Sequence, residues 1–141
     1  MIRPFFVEDF SQWLLLWDLN NDGQRKEAVT TETWARLLDP SSAVNGLGFY
    51  EQDKMVGFVH YITHPVTGHI APACYMQDLF VHPDQRRKGI GKKLVKALTK
   101  QAKQEKWARL YWLAQDSNKA AHALYQNLGV KLGFSFFVMP L

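Results

Sequence analysis

An amphipathic helix between two apolar segments of strand length constrains the fold of this chain more than any other feature. Within residues 89–105, apolar positions recur every four residues, which is the spacing of one helix face. These positions are Ile90, Leu94, Leu98 and Ala102. Residues 74–81 before the helix and 109–114 after it are predicted to be strands. This alternation favours a mixed α/β sheet with helices on its faces.

The segments outside this unit predict further strands and helices. We expect a strand at 2–5, helices at 8–19 and 31–39, a hairpin of 47–50 with 55–62, an irregular loop at 64–72, a fourth helix from Asp116 or Ser117 to Leu128, and a last strand at 132–139. The loop is expected because residues 64–72 contain two prolines and a glycine. No repeat or linker interrupts the chain, and its 141 residues fit a single domain spanning 1–141.

The cysteine and histidine content narrows the possible chemistry. Cys74 is the only cysteine, so an intrachain disulfide framework is excluded, which fits the reducing cytosol. It is expected to be a buried small apolar residue. The five histidines lack metal-ligand spacing, so no metal is expected. The first residues do not read as a signal peptide, and no apolar run reaches membrane length. We therefore expect a cytoplasmic protein.

Positive charge is concentrated in one part of the chain. Residues 85–109 contain 10 of the 17 basic residues, opposed there only by Glu105, while the remaining residues are acidic overall. Such a block suggests an anionic partner, either a phosphorylated cofactor or nucleic acid. The alternative is a solvated helix face, because the lysines follow a helical period.

The turn before the amphipathic helix carries the strongest chemical signal. Gly89 and Gly91 stand at the helix start, where missing side chains let backbone N–H groups approach an anion closely. A helix N-terminus adds unpaired donors and the positive end of a dipole, so a phosphate site is predicted here. The turn is not a Walker A loop, since no Gly-Lys-Ser/Thr follows, and a dinucleotide fingerprint would need a glycine at Leu94.

Two sequence blocks together resemble one enzyme family. Arg86-x-x-Gly89-x-Gly91, following a strand that ends in Val-x-Pro, resembles motif A, (Q/R)-x-x-G-x-(G/A), of the GNAT acetyltransferases. Residues 118–125, Asn-Lys-Ala-Ala-His-Ala-Leu-Tyr, resemble motif B, at the separation that the family shows. The resemblance covers roughly residues 56–125 and is closest to the polyamine- and histone-type amine acetyltransferases. It implies an α/β (α+β) fold, with a mixed, mostly antiparallel central sheet flanked by about four helices.

The resemblance also implies acetyl-CoA as cosubstrate and the residues that hold it. Backbone groups of the strand would meet the pantetheine arm, the N–H groups of the turn would hold the pyrophosphate, and Asn118 would contact the cofactor. The expected cofactor-binding residues are Leu79, Phe80, Val81, Arg86, Arg87, Lys88, Gly89, Ile90, Gly91, Asn118 and Tyr125. Tyr125 would also protonate the leaving thiolate. From spacing alone, Asn118 and Tyr125 share one helix stripe, about 10 Å apart at ~1.5 Å per residue.

The amine base is less defined by the sequence. In polyamine-acetylating relatives a glutamate precedes the aspartate of this strand, and here that position is Gln77. Asp78 is therefore the candidate base or amine anchor, with a structural hydrogen-bonding role or a water relay as the alternatives. Strand alternation points Asp78 to the face opposite Gln77 unless a bulge intervenes.

The expected function is acetyl transfer from acetyl-CoA to a primary amine, either a small polyamine-like amine or a lysine side chain, by direct attack in a ternary complex. A polyamine would need converging carboxylates, for which Asp18, Asp22 and Glu27 are candidates. One alternative is a small basic nucleic-acid-binding module, although only Trp107 could stack on bases within the basic block. The other is a catalytically inactive acyl-CoA sensor, which Gln77 would suit. A homodimer is expected, with neither nucleic acid nor membrane as partner.

Overall fold

The computed structural model describes residues 1–141 as one mixed sheet with helices on both faces. The elements are β1 (Ile2–Arg3), α1 (Phe10–Asn20), α2 (Glu27–Leu38), β2 (Val44–Glu51), β3 (Lys54–Val66), β4 (His69–Val81), α3 (Ile90–Gln104), β5 (Leu110–Trp112) and α4 (Lys119–Tyr125). The strands lie in the order β1-β2-β3-β4-β5. All neighbouring pairs are antiparallel except β4 with β5. The expected mixed, mostly antiparallel sheet with four helices is confirmed.

Two apolar clusters join the sheet to its helices. On one face, Leu94 and Leu98 of α3 pack over Cys74 and Met76 of β4. On the other face, α1 and α2 supply the second cluster, which consists of Phe5, Trp13, Leu16, Trp34, Tyr50, Met55, Phe58 and Phe80. Both faces of the sheet are therefore covered, which explains why β2 and β3 contain long buried runs rather than strict alternation.

The loop predicted at residues 64–72 is wrong. β3 and β4 continue through it as a long hairpin, with Val66 paired to His69 across a short turn. Pro65 is tolerated because it lies at the register irregularity between His64 and Val66, where a ladder N–H is not required. Pro65 thus marks an irregularity within a hairpin rather than the end of strand pairing.

The strand predicted at residues 132–139 is also wrong. No helix or strand is assigned after α4, which ends at Tyr125 rather than at Leu128. Apolar side chains of this segment remain exposed, among them Phe134, Phe136 and Phe137. Its apolar content favours a strand, but a strand also needs a partner for its backbone, and β5 stays unpaired on its outer side. No helix of the structure combines the length and apolar character that a membrane crossing requires.

Candidate active site

β4 and β5 stop pairing partway along β4, and the gap beyond their last paired residues is called the cleft below. β5 pairs with β4 only at Cys74, Tyr75 and Met76. The following residues of β4 pair with β3 on one side and have no strand on the other. This free edge runs along Leu79, Phe80 and Val81, the residues expected to meet a pantetheine arm, and its Val81 carbonyl accepts a hydrogen bond from Nε of Arg86.

A β-bulge at Gln77 sets the direction of the next side chain. His60 pairs with Asp78, and Tyr61 pairs with Met76. Gln77 is therefore an extra residue of β4 that has no partner in β3. Gln77 is exposed, and Asp78 lies on the same face as His60, toward α1 and α2. The bulge that the sequence left open is therefore present.

Asp78 is held by a buried histidine. Its Oδ2 atom lies 2.9 Å from Nδ1 of His60, and the indole N–H of Trp13 donates to Nε2 of His60 over 3.0 Å. The sequence did not mark His60 as part of the site. The only signal in the sequence was a polar residue inside an apolar strand, and nothing local indicated its partners.

The turn expected to bind phosphate has the required backbone. Arg87 and Gly89 both adopt left-handed conformations, with φ of 64° and 75°. The N–H groups from Arg87 to Lys92 find no acceptor in the protein, and the first bond of α3 runs from the Lys93 N–H to the Gly89 carbonyl. A Cβ built on Gly89 would meet no atom within 4 Å, so the space above it is open. Consecutive free donors at a helix N-terminus fit a pyrophosphate.

The charged side chains of this turn are not drawn into the protein core. Arg86 is exposed, and its Nε atom donates to the Val81 carbonyl over 3.1 Å. Nζ of Lys88 donates to Gln85 over 2.6 Å. The guanidinium of Arg86 therefore sits at the end of the free edge of β4, next to the turn, while Lys88 remains in solvent.

Helix α4 lies beside the start of α3 and β4, because a Cβ built on Gly91 would lie 3.6 Å from Leu124 and 3.7 Å from Leu79. Asn118 is its N-cap, because the side-chain oxygen accepts the N–H of Ala121 over 3.1 Å, so the predicted caps Asp116 and Ser117 are wrong. The half-buried Tyr125 packs against the apolar cluster under α3. Burial raises the pKa of Tyr125, so its hydroxyl keeps its proton at neutral pH.

Other ionisable groups are engaged elsewhere or inert. Asp18 and Glu27 both pair with Arg25, at 3.0 Å and 3.1 Å, and the hydrogen bonds from Arg25 lower the pKa of Asp18. Two of the three carboxylates proposed for a polyamine are thus neutralised.

Cys74 is fully buried as expected, and burial raises its pKa to about 12, so it cannot supply a thiolate nucleophile at neutral pH. No three His, Cys, Asp or Glu side chains gather as a metal site would require.

Comparison with known proteins identifies the family of this chain. A profile of the "Acetyltransferase (GNAT) family" matches residues 7–130. D-amino-acid N-acetyltransferase HPA3 of Saccharomyces cerevisiae is 32% identical over 136 residues, covering 93% of this chain and 84% of the yeast protein. Thialysine N-epsilon-acetyltransferase of Caenorhabditis elegans is 39% identical over 104 residues, covering 74% of this chain and 64% of the worm protein. A solved structure of the aminoglycoside N-acetyltransferase AAC(6')-Iy with CoA has a TM-score of 0.83 at 17% identity, over 100% of this chain and 93% of that one. The chain belongs to the GNAT family of acetyltransferases and is an N-acetyltransferase.

Proposed function

We propose that this protein transfers the acetyl group of acetyl-CoA to a small primary amine by direct attack in a ternary complex. The observation that carries the proposal is the continuity of the free edge of β4 with the unpaired N–H groups at the start of α3. A long ligand with a diphosphate at one end could follow this track into the cleft. The yeast and worm relatives act, by their names, on D-amino acids and on thialysine.

The cosubstrate would be held mainly by backbone. The pantetheine arm would lie along Leu79, Phe80 and Val81 and pair with the strand edge as an added strand does. The pyrophosphate would take the N–H groups of the turn, from Arg87 and Lys88 through Gly89 and Ile90 to Gly91. Arg86 and the unpaired amide nitrogen of Asn118 would add contacts on either side of the arm.

The chemistry would be shared by two side chains that approach the cleft from opposite faces of the sheet. Asp78 lies toward α1 and α2, whereas Tyr125 packs on the α3 side. The Asp78 carboxylate accepts the proton that the amine nitrogen loses as it bonds to the acetyl carbon, directly or through one water. The Tyr125 hydroxyl gives a proton to the sulfur as the carbon–sulfur bond breaks. Solvent exchange restores both groups, so the net change moves one proton from nitrogen to sulfur.

Direct attack is supported by the state of the available nucleophiles. Cys74 is fully buried under α3, and its raised pKa keeps it protonated. Gln77 is the bulged residue and cannot act as a base, so the carboxylate of the next residue, Asp78, would take that role. An active enzyme therefore fits this site better than an inactive acyl-CoA sensor.

The test is release of free coenzyme thiol from acetyl-CoA across a panel of amines. The panel should include D- and L-amino acids, thialysine, lysine, spermidine and a histone peptide, and mass spectrometry should identify the acetylated product. We expect turnover with small amino-acid-like amines. Acetyl-CoA binding by calorimetry without turnover on any amine would favour the sensor, and absence of binding would overturn the proposal.

We also propose that the protein acts in the cytoplasm as a homodimer. β5 is an unpaired sheet edge, and the exposed apolar segment 130–141 follows it in the same chain. A second copy could cover both, since unpaired edges and apolar patches favour association. Light scattering coupled to size-exclusion chromatography measures the mass directly, and a monomer at micromolar concentration would overturn this part.

A further inference from the structure

The hydrogen bonds behind Asp78 form a largely buried chain that runs from α1 through β3 to β4. Trp13 on α1 is fully buried and His60 on β3 is 3% exposed, whereas the Asp78 side chain at the end of the chain is 26% exposed. The imidazole of His60 stacks on Phe58, with ring centroids 4.2 Å apart and planes at 14°. Trp13 and His60 are therefore fixed by packing, whereas the Asp78 carboxylate is partly exposed.

The donors in this chain determine the tautomer of His60. The indole nitrogen of Trp13 can only donate a hydrogen bond, so Nε2 of His60 must accept it. In a neutral imidazole the proton then sits on Nδ1, which faces Oδ2 of Asp78 at 2.9 Å. Thus Nδ1 of His60 donates to the Asp78 carboxylate. The hydrogen bond from Trp13 to Nε2 keeps the imidazole proton on Nδ1.

This arrangement leaves one oxygen of Asp78 for another partner. Oδ2 accepts from His60, while Oδ1 makes no hydrogen bond within the protein. Every buried side-chain polar atom of the structure has a hydrogen-bond partner, so Oδ1, which has none, must be exposed to solvent. A carboxylate with one oxygen anchored and the other free is restricted in rotation, which is what a group that must meet an amine in one geometry requires.

We propose that His60 is a positioning residue for acetyl transfer, which orients the Asp78 carboxylate toward the amine of the acceptor, and that Trp13 fixes the donor side of His60. The inference rests on the proposed role of Asp78. It predicts that the rate of acetyl transfer depends on a donor at the Nδ1 position of residue 60 rather than on the histidine ring itself.

Two substitutions at His60 separate this role from a structural one. In H60N the amide nitrogen takes the place of Nδ1 and can still donate to Asp78. In H60Q the amide reaches the place of Nε2, so it can accept from Trp13 but leaves Asp78 without its donor. Each variant loses one of the two hydrogen bonds, so we expect similar decreases in melting temperature.

The two variants should differ in kcat. We expect H60N to keep kcat within about threefold, and H60Q to lose about 10- to 100-fold because a misplaced group loses catalytic power steeply. The affinity for acetyl-CoA should be unchanged in both. The inference would be overturned if kcat fell together with melting temperature to the same extent in both variants. It would also be overturned if the kcat of H60Q stayed within threefold of wild type.

Two further measurements keep the outcome decisive. D78N removes the proton acceptor but can still accept from His60; if it retained most of the wild-type kcat, the proposed role of Asp78 would fail and this inference with it. A D78N variant of low kcat beside a fully active H60Q would overturn the positioning role alone. Nitrogen NMR of the wild-type protein determines the tautomer of the His60 imidazole directly, and it requires no substitution. A proton on Nδ1 supports the inference, and one on Nε2 contradicts it.

Discussion

The ring of Tyr125 packs against Trp112 with ring centroids 5.3 Å apart and planes at 52°, while the tyrosine hydroxyl makes no hydrogen bond within the protein. The ring is therefore held by packing, while the hydroxyl is free for the acid role proposed above. Tyr125→Phe should keep the fold and the affinity for acetyl-CoA and lower kcat by about 10²- to 10⁴-fold, the contribution of a positioned general acid. Steady-state kinetics and calorimetry measure the two effects separately.

A control for this substitution exists on the same side of the sheet. Tyr61 is buried beneath α3, and its hydroxyl bonds with Gln101. Tyr61→Phe should cost about 0.5–1.5 kcal/mol of stability through the lost hydrogen bond and leave kcat unchanged. If Tyr125→Phe kept more than half of the wild-type kcat when chemistry limits the rate, the thiolate would be leaving without help from Tyr125.

Gly89 and Gly23 offer a matched pair for testing the phosphate site. Their φ angles are 75° and 74°, and a Cβ on either would meet no atom within 4 Å. Replacing either with alanine should therefore cost about 1–2 kcal/mol from left-handed backbone strain alone. Only Gly89→Ala should weaken acetyl-CoA binding, because its methyl group projects at the turn whose N–H groups are free. Thermal shifts with and without acetyl-CoA would show this, and equal ligand-induced shifts in both variants would place the pyrophosphate elsewhere.

The basic residues along α3 should contribute little to cosubstrate binding. Lys100 and Lys103 are exposed and lie two to three turns beyond the free N–H groups. Replacing both with glutamine should change acetyl-CoA affinity by no more than about twofold, since exposed charges at this distance are screened. A submicromolar, strongly salt-dependent affinity of the wild-type protein for DNA or RNA would instead support a nucleic-acid-binding role.

Acid stability should depend on a buried carboxylate near the N-terminus. Asp9 is 4% exposed and accepts hydrogen bonds from Arg3, the Phe6 N–H and Tyr50. Burial by itself would raise the pKa of Asp9, but these hydrogen bonds outweigh it and lower the pKa below 3.8. A lowered native pKa means that the unfolded chain binds the proton more tightly. This stabilisation is therefore complete above about pH 4 and is lost as the pH falls through the native pKa.

The variant Asp9→Asn tests this linkage. It should lower the free energy of unfolding by about 1.5–3 kcal/mol at pH 6, because hydrogen bonds to a charged group are lost. The difference from wild type should narrow as the pH falls below about 4, because the unfolded wild-type chain then takes up a proton at Asp9 that the folded protein binds only at lower pH. Denaturant unfolding at pH 6, 4 and 3 measures it, and a difference that stayed constant with pH would assign the effect to packing.

The sequence by itself determined the parts of this protein whose causes are local. The apolar period of α3 and the glycines at its start predicted a helix that begins at a phosphate-binding turn, and the structure has left-handed Gly89 and free N–H groups there. Helix spacing also placed Asn118 and Tyr125 on one element, which the structure keeps as the cap and last residue of α4. Backbone sterics and hydrogen bonds within a few residues decide such features, and a sequence displays them directly.

Only the tertiary structure decided the features that depend on partners distant in the chain. The direction of Asp78 follows from the extra residue Gln77 in β4, and its partner His60 lies 18 positions earlier. The segment at 132–139 has the composition of a strand, yet it forms none, because no neighbouring strand satisfies its backbone. Strand register and pairing are set by contacts between segments, and two strands with the same local pattern can differ in both.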